Sequence, residues 1–185
     1  MVTIGGMGVM VLGAVAAGVV AVLLAAALRD RLGTVSSVAL AGLLWSLVVV
    51  ALVTLVPTRS DVGIVPAETR SESCSWDYGG PSGAAFEVLG LDQRTLNVLL
   101  FVPAGVFLVL AVGRWWSGLL LAPLGLAALA AYSLGIELTQ LQLARLDRAC
   151  DVTDLVDNVL GAGIGCVIGV VLLPVLRPWR DRAPN

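Results

Sequence analysis

Any chemistry in this chain has to come from a short set of polar side chains in its C-terminal half. Asn97, then Ser133, Glu137 and Gln140, then Arg148, Asp151, Asp154 and Asn158 have types and spacing suited to hydrogen bonding, anion binding or proton transfer. Ser133, Glu137 and Gln140 recur at i, i+4 and i+7, so one helix stripe would carry all three. Asp154, Asn158, Gly161, Gly165 and Gly169 step by 4, 3, 4 and 4 along a second stripe. That stripe begins polar and continues with small residues, the pattern that lets another backbone come close. The guanidinium fork of Arg148 suits a phosphate or carboxylate. The amides of Asn97, Gln140 and Asn158 suit sugar or peptide groups. Glu137 and Asp154 are the candidate acid–base pair, with one carboxyl kept protonated by burial.

Simpler roles compete at several positions. Asp154 also reads as a helix N-cap. Asn97 and Gln140 also read as interhelical hydrogen-bonding residues. Asp157 reads as a solvated first-turn acid, and Cys166 as a small packing residue. Glu137 needs a partner at interfacial depth, for which Arg148 or Arg145 in the adjoining loop is the natural choice. Oxygen donors at Glu137, Asp151 and Asp154 would suit Mg²⁺ or Ca²⁺, but no metal site and no cofactor is expected. The chain has no His, no Ser in a nucleophile elbow and no Cys beside a base, which removes most hydrolase and acyltransferase schemes.

The elements that must position these groups are set by composition. Of the 185 residues 58% are hydrophobic and only 13% are charged, about half the roughly 25% usual for a soluble domain. Residues 1–28, 32–58, 95–113, 115–136 and 158–176 contain no Asp, Glu, Lys or Arg. Crossing a ~30 Å hydrocarbon core takes about 20 helical residues, and each run is long enough. The sequence therefore predicts an all-α integral membrane protein. Its bundle has five transmembrane helices, at about 5–28, 34–56, 95–112, 117–141 and 154–176, with one long extracytoplasmic loop, 57–94, and a cytoplasmic tail, 177–185. Residues 1–28 are expected to be the first span, not a cleaved leader, because no positive n-region precedes an apolar stretch of that length.

Five crossings put Arg29, Arg31, Arg114, Arg177, Arg180 and Arg182 on one side. When the long 57–94 segment is left aside, only Arg145 and Arg148 remain on the other. The positive-inside bias is read from short loops, so the N-terminus is expected outside and the C-terminus in the cytoplasm. Trp115, Trp116 and Trp179 fit the inner interface. Cys74 and Cys150 then both face an oxidising exterior and are expected to form a disulfide, the alternative being two free thiols. The same topology places Asn97, Glu137, Gln140, Asp154 and Asn158 in the outer third of the membrane and leaves the inner halves without polar groups. It predicts a polar pocket open to the outside and no path for transport. A helix kink at Pro103 would widen it.

These residues carry a resemblance. Asn97-x-x-Leu100-Phe101-x-Pro103-x-Gly105 and Ser133-x-x-Ile136-Glu137-x-x-Gln140 supply the first two blocks. Arg148-x-x-Asp151-Val152-x-Asp154-x-x-x-Asn158-x-x-Gly161 supplies the third, in that order along the chain. Over about residues 91–170 the sequence resembles the VanZ-like family, membrane proteins associated with resistance to the glycopeptide teicoplanin. Helices one and two match only by length and by Pro57 at the end of the second. The resemblance implies a cell-envelope setting and marks Asn97, Glu137, Gln140, Arg148, Asp151, Asp154 and Asn158 as site positions, without implying a reaction.

The leading expectation is that the pocket binds a lipid-linked cell-wall precursor or the glycopeptide, with membrane lipids as further partners and no nucleic acid. The alternatives are an enzyme acting on an envelope lipid through Glu137 and Asp154, and a structural or regulatory membrane partner whose polar residues lock the helices.

Overall fold

The computed structural model describes residues 6–57, 73–79, 92–115, 117–143 and 150–180. It contains five long helices: α1 Met7–Leu32, α2 Thr34–Leu55, α3 Gln93–Val112, α4 Gly118–Gln142 and α5 Val152–Leu176. All five are long and apolar enough to cross a bilayer. Among the described residues the β pairing is a single isolated parallel bridge between Ser75 and Asp151.

Two helix boundaries differ from the sequence expectation. Charged residues do not end α1: Arg29, Asp30 and Arg31 form its last turn, where arginines sit favourably against the C-terminal end of the helix dipole. Gly33, at φ 76°, then turns the chain directly into α2. Helix α5 starts at Val152, and its cap is Asp151, whose Oδ1 accepts from the Thr153 amide at 2.8 Å. Asp154 therefore lies inside the first turn and is not the cap. Helix α3 starts on Asp92, whose carboxylate accepts from Thr95 and is held below the usual carboxylate range by those hydrogen bonds.

Helices α3 and α5 form the tightest pair, running parallel along the small-residue seam. Gly161 lies against the backbone of Val98, Gly165 against Val102 and Gly105, and Gly169 against Val106 and Val109. A Cβ at Gly161 or Gly165 would fall inside a carbonyl oxygen of α3. In lipid, where apolar surface is no more at home in protein than among acyl chains, such close backbone contact is a main source of helix association.

Around this pair a core forms from Val50 of α2, Phe101, Ala104 and Leu108 of α3, Leu129 and Ile136 of α4, and Ala162 of α5. Tyr132 of α4 donates its hydroxyl to the Leu47 carbonyl of α2 at 2.7 Å, and Trp45 of α2 donates its indole N–H to Ala14 of α1 at 2.9 Å. Helix α1 packs on α2 and turns most of its surface outward, with Leu12 71% and Val22 69% exposed. Such surface is matched to lipid, not water.

Candidate functional site

The N-terminal ends of α3 and α5 meet the C-terminal ends of α2 and α4 at one end of the bundle, and there the buried polar side chains gather. Asn158 of α5 donates through Nδ2 to Ser133 Oγ of α4 at 2.9 Å, both residues being buried. Gln140, further along α4, donates through Nε2 to the Thr54 carbonyl of α2 at 3.1 Å. Glu137, between them on the same stripe and 3% exposed, accepts from the Asp151 backbone N–H at 3.2 Å. Asp154 accepts from Gln93 Nε2 of α3 at 3.0 Å. Asn97 is half-buried on α3, one turn before Phe101.

Three atoms of this group stand out. Asn97 Nδ2, Gln140 Oε1 and Asn158 Oδ1 are buried and make no hydrogen bond among the described residues. One donor and two acceptors, from three different helices, are thus left unmatched. A buried amide group without a partner costs about 1–3 kcal/mol, so such groups call for something that completes them.

A strap closes this end. Cys74 and Cys150 form the expected disulfide, with Cα atoms 4.5 Å apart. Ser75 exchanges backbone hydrogen bonds with Cys150 and Val152, at 2.8 and 3.0 Å. The Gly79 amide donates to Thr153 Oγ1 at 3.1 Å. Residues 73–79 are therefore pinned across the start of α5, and they present Trp76, 79% exposed, and Tyr78.

One sequence expectation is corrected here, and the other candidate side chains are placed. Asp157 is not a solvated acid: it is 2% exposed and takes both arms of Arg94 from α3, Nε at 2.9 Å and Nη2 at 3.1 Å. The same Nη2 donates to the Tyr78 hydroxyl at 2.7 Å, and the guanidinium lies 5.0 Å from the Tyr78 ring centroid. A bidentate fork of this kind satisfies a buried carboxylate that would otherwise be expensive. Asp151, expected as a ligand-binding loop residue, uses its carboxylate to cap α5. Glu137 and Asp154, the candidate acid–base pair, are engaged by different groups, the Asp151 amide and Gln93.

The opposite half of the bundle is not free of polar groups either. Ser36 and Ser37 are buried near the start of α2, where Ser37 Oγ donates to the Thr34 carbonyl at 3.0 Å. Sequence reasoning missed Ser37 because a serine can satisfy its hydroxyl on its own helix and so sit cheaply in an apolar span, whereas Ser36 Oγ finds no partner among the described residues.

Arg148 and Arg145, expected to partner Glu137, lie outside the described residues, as does Trp116. Among the described residues no three His, Cys, Asp or Glu side chains gather to hold a metal.

Five apolar spans, a buried polar cluster at one end and a disulfide-pinned strap over it define a multi-pass helical membrane protein. The model of the VanZ/LLP1 family matches residues 34–173, most of the chain, and the chain belongs to that family. The match begins at the first residue of α2, so α2 belongs to the family's shared part as fully as α3 to α5, while α1 precedes it. No curated protein and no solved structure matches the chain.

Proposed function

We propose that this VanZ-type protein sits in the cell-envelope membrane with the strapped end outward, and that its polar cluster binds a lipid-linked or cell-wall ligand. The observation that carries this reading is the set of unmatched buried amide atoms: Asn97 Nδ2, Gln140 Oε1 and Asn158 Oδ1. A ligand with hydroxyl or amide groups supplies an acceptor for Asn97 Nδ2 and donors for Gln140 Oε1 and Asn158 Oδ1. The Cys74–Cys150 bridge supports an outward-facing strap, because disulfides persist in oxidising compartments. Arg29, Arg31, Arg114, Arg177 and Arg180 all lie at or beyond the other ends of the helices, which suits the cytoplasmic side. Arg148, beside this cluster in sequence, is the group assigned to a ligand phosphate or carboxylate. Occupation of the site by a cell-wall precursor, or by the glycopeptide itself, would lower sensitivity to teicoplanin.

A second reading has its own support. The Asn158–Ser133 and Gln140–Thr54 hydrogen bonds link α5 to α4 and α4 to α2, as residues that only lock the helices would. The two separate on the Asn97→Ala variant. Native mass spectrometry of protein extracted from its own membrane should show an envelope lipid or precursor retained by the parent and lost from the variant, at unchanged melting temperature. Loss of stability with no change in retained molecules would favour the locking role.

A further inference from the structure

The strap carries two large aromatic side chains that the rest of the molecule leaves uncovered. Trp76 is 79% exposed and Tyr78 is 58% exposed. Looseness does not explain this, because the segment is tied to the bundle at four points. Cys74 is bonded to Cys150, and Ser75 pairs with the backbone of Cys150 and Val152. The Gly79 amide donates to Thr153, and the Tyr78 hydroxyl accepts from Arg94. The two rings are therefore held beside the start of α5, at a fixed height along that helix.

That height has a meaning in a bilayer. Helix α5 has 25 residues, and at ~1.5 Å per residue it is about 37 Å long. This exceeds the ~30 Å hydrocarbon core and falls short of the ~40–45 Å that includes both headgroup regions. Both ends of α5 then lie among the headgroups. Trp76 and Tyr78 stand at one end. At the other are Trp179, just beyond α5 and 41% exposed, and Trp115, in the α3–α4 turn and 46% exposed. Among the described residues the remaining aromatics lie within the spans: Trp45 donates to Ala14, and Phe101, Phe107 and Tyr132 pack on the core. The helix ends at the strap thus have no described aromatic of their own, and the strap supplies the pair. Indole and phenol rings favour the headgroup layer because each joins an apolar body to a polar tip. Tyr78 shows that division, with its hydroxyl on Arg94 and most of its surface uncovered.

We infer that the strap is an interfacial anchor whose partner is the lipid surface: Trp76 and Tyr78 lie in the headgroup layer at the strapped end, opposite Trp115 and Trp179. This placement holds whichever side that end faces, and whether or not the polar cluster takes a ligand. The test is fluorine NMR of the full chain, labelled with fluorotryptophan and held in phosphatidylcholine nanodiscs. Trp76→Phe, Trp115→Phe and Trp179→Phe assign the three signals by disappearance; Trp76→Tyr serves if Trp76→Phe folds poorly. A nitroxide on the lipid headgroup should erase the Trp76 signal as fully as those of Trp115 and Trp179. A nitroxide at the acyl-chain terminus should leave it, and a water-soluble gadolinium chelate should broaden it less than the headgroup label does. Fluorotyrosine should give the same pattern at Tyr78 and not at mid-span Tyr132. Loss of the Trp76 signal to the chelate but not to the headgroup label places the strap in water and overturns the inference. Greater loss to the chain-terminus label also overturns it, as does protection from all three, which would mean that protein covers the ring.

Discussion

Asp157 stands one helical turn above Gly161 on α5 and receives Arg94 of α3 through two hydrogen bonds, at 2.9 and 3.1 Å. The pair continues the backbone seam below it: Gly165 meets Val102, Gly161 meets Val98, and four residues earlier on each helix the register brings Asp157 to Arg94. The ion pair thus fixes which residues of the two helices face one another, and Tyr78 of the strap is held by the same guanidinium. Strap, seam and polar cluster are mechanically one unit.

Breaking this pair from its two sides should not be equivalent. Arg94→Ala leaves Asp157, 2% exposed, as an uncompensated buried carboxylate, whereas Asp157→Asn leaves a half-exposed guanidinium. Melting in detergent should show the larger loss for Arg94→Ala, with Arg94→Ala/Asp157→Asn recovering part of it. Equal losses would mean that the pair contributes nothing specific to the seam.

The glycines divide into two groups. Gly161 and Gly165 lie against α3 carbonyls, while nothing lies within 4 Å of a Cβ built on Gly163. Gly161→Ala and Gly165→Ala should each cost about 2–3 kcal/mol by forcing the helices apart. Gly163→Ala should be neutral or stabilising by about 0.5 kcal/mol, since alanine restricts the unfolded chain at no steric cost. Thermal stability measured across the three variants decides it.

The disulfide closes a 76-residue separation, which in the chain-entropy model is worth about 4 kcal/mol. Cys74→Ser/Cys150→Ser should lower the melting temperature and expose the strap to protease. Thiol titration of the denatured, unreduced protein should find Cys166 alone. Three reactive thiols before reduction would contradict the pairing.

Ser133 supplies the acceptor for a buried Asn158 N–H. Ser133→Ala should cost about 1–3 kcal/mol, the range for leaving a buried donor unmatched. Thr139→Ala, whose exposed hydroxyl bonds only its own helix at Gly135, should cost under about 0.5 kcal/mol. Chemical denaturation of both variants checks the contrast.

Much of this was readable in the chain. Uncharged runs marked five spans, because a bilayer tolerates almost no charge at depth, and the Gly161–Gly165–Gly169 spacing marked the seam. Arg94 and Asp157 were missed because each was counted as an end-of-span charge. A signal was available: Asp157, Gly161, Gly165 and Gly169 step evenly by four, as do Arg94, Val98 and Val102. Extending the glycine stripe one turn further would have placed Asp157 inside the interface. The Asp151 cap was harder to see, since Asp151 and Asp154 both precede the apolar run and only the bridge to Ser75 sets which one starts the helix. Thr54 was invisible for another reason: Gln140 binds its backbone carbonyl, which any residue would offer.

The account rests on the unmatched amide atoms of Asn97, Gln140 and Asn158 being completed by a ligand. Electron cryo-microscopy of the protein, purified from its own membrane into nanodiscs, tests this directly. The account predicts non-protein density larger than a water, within about 3.5 Å of Asn97 Nδ2 and of either Gln140 Oε1 or Asn158 Oδ1. Amides that pair with one another, or that hold ordered waters alone, would contradict it.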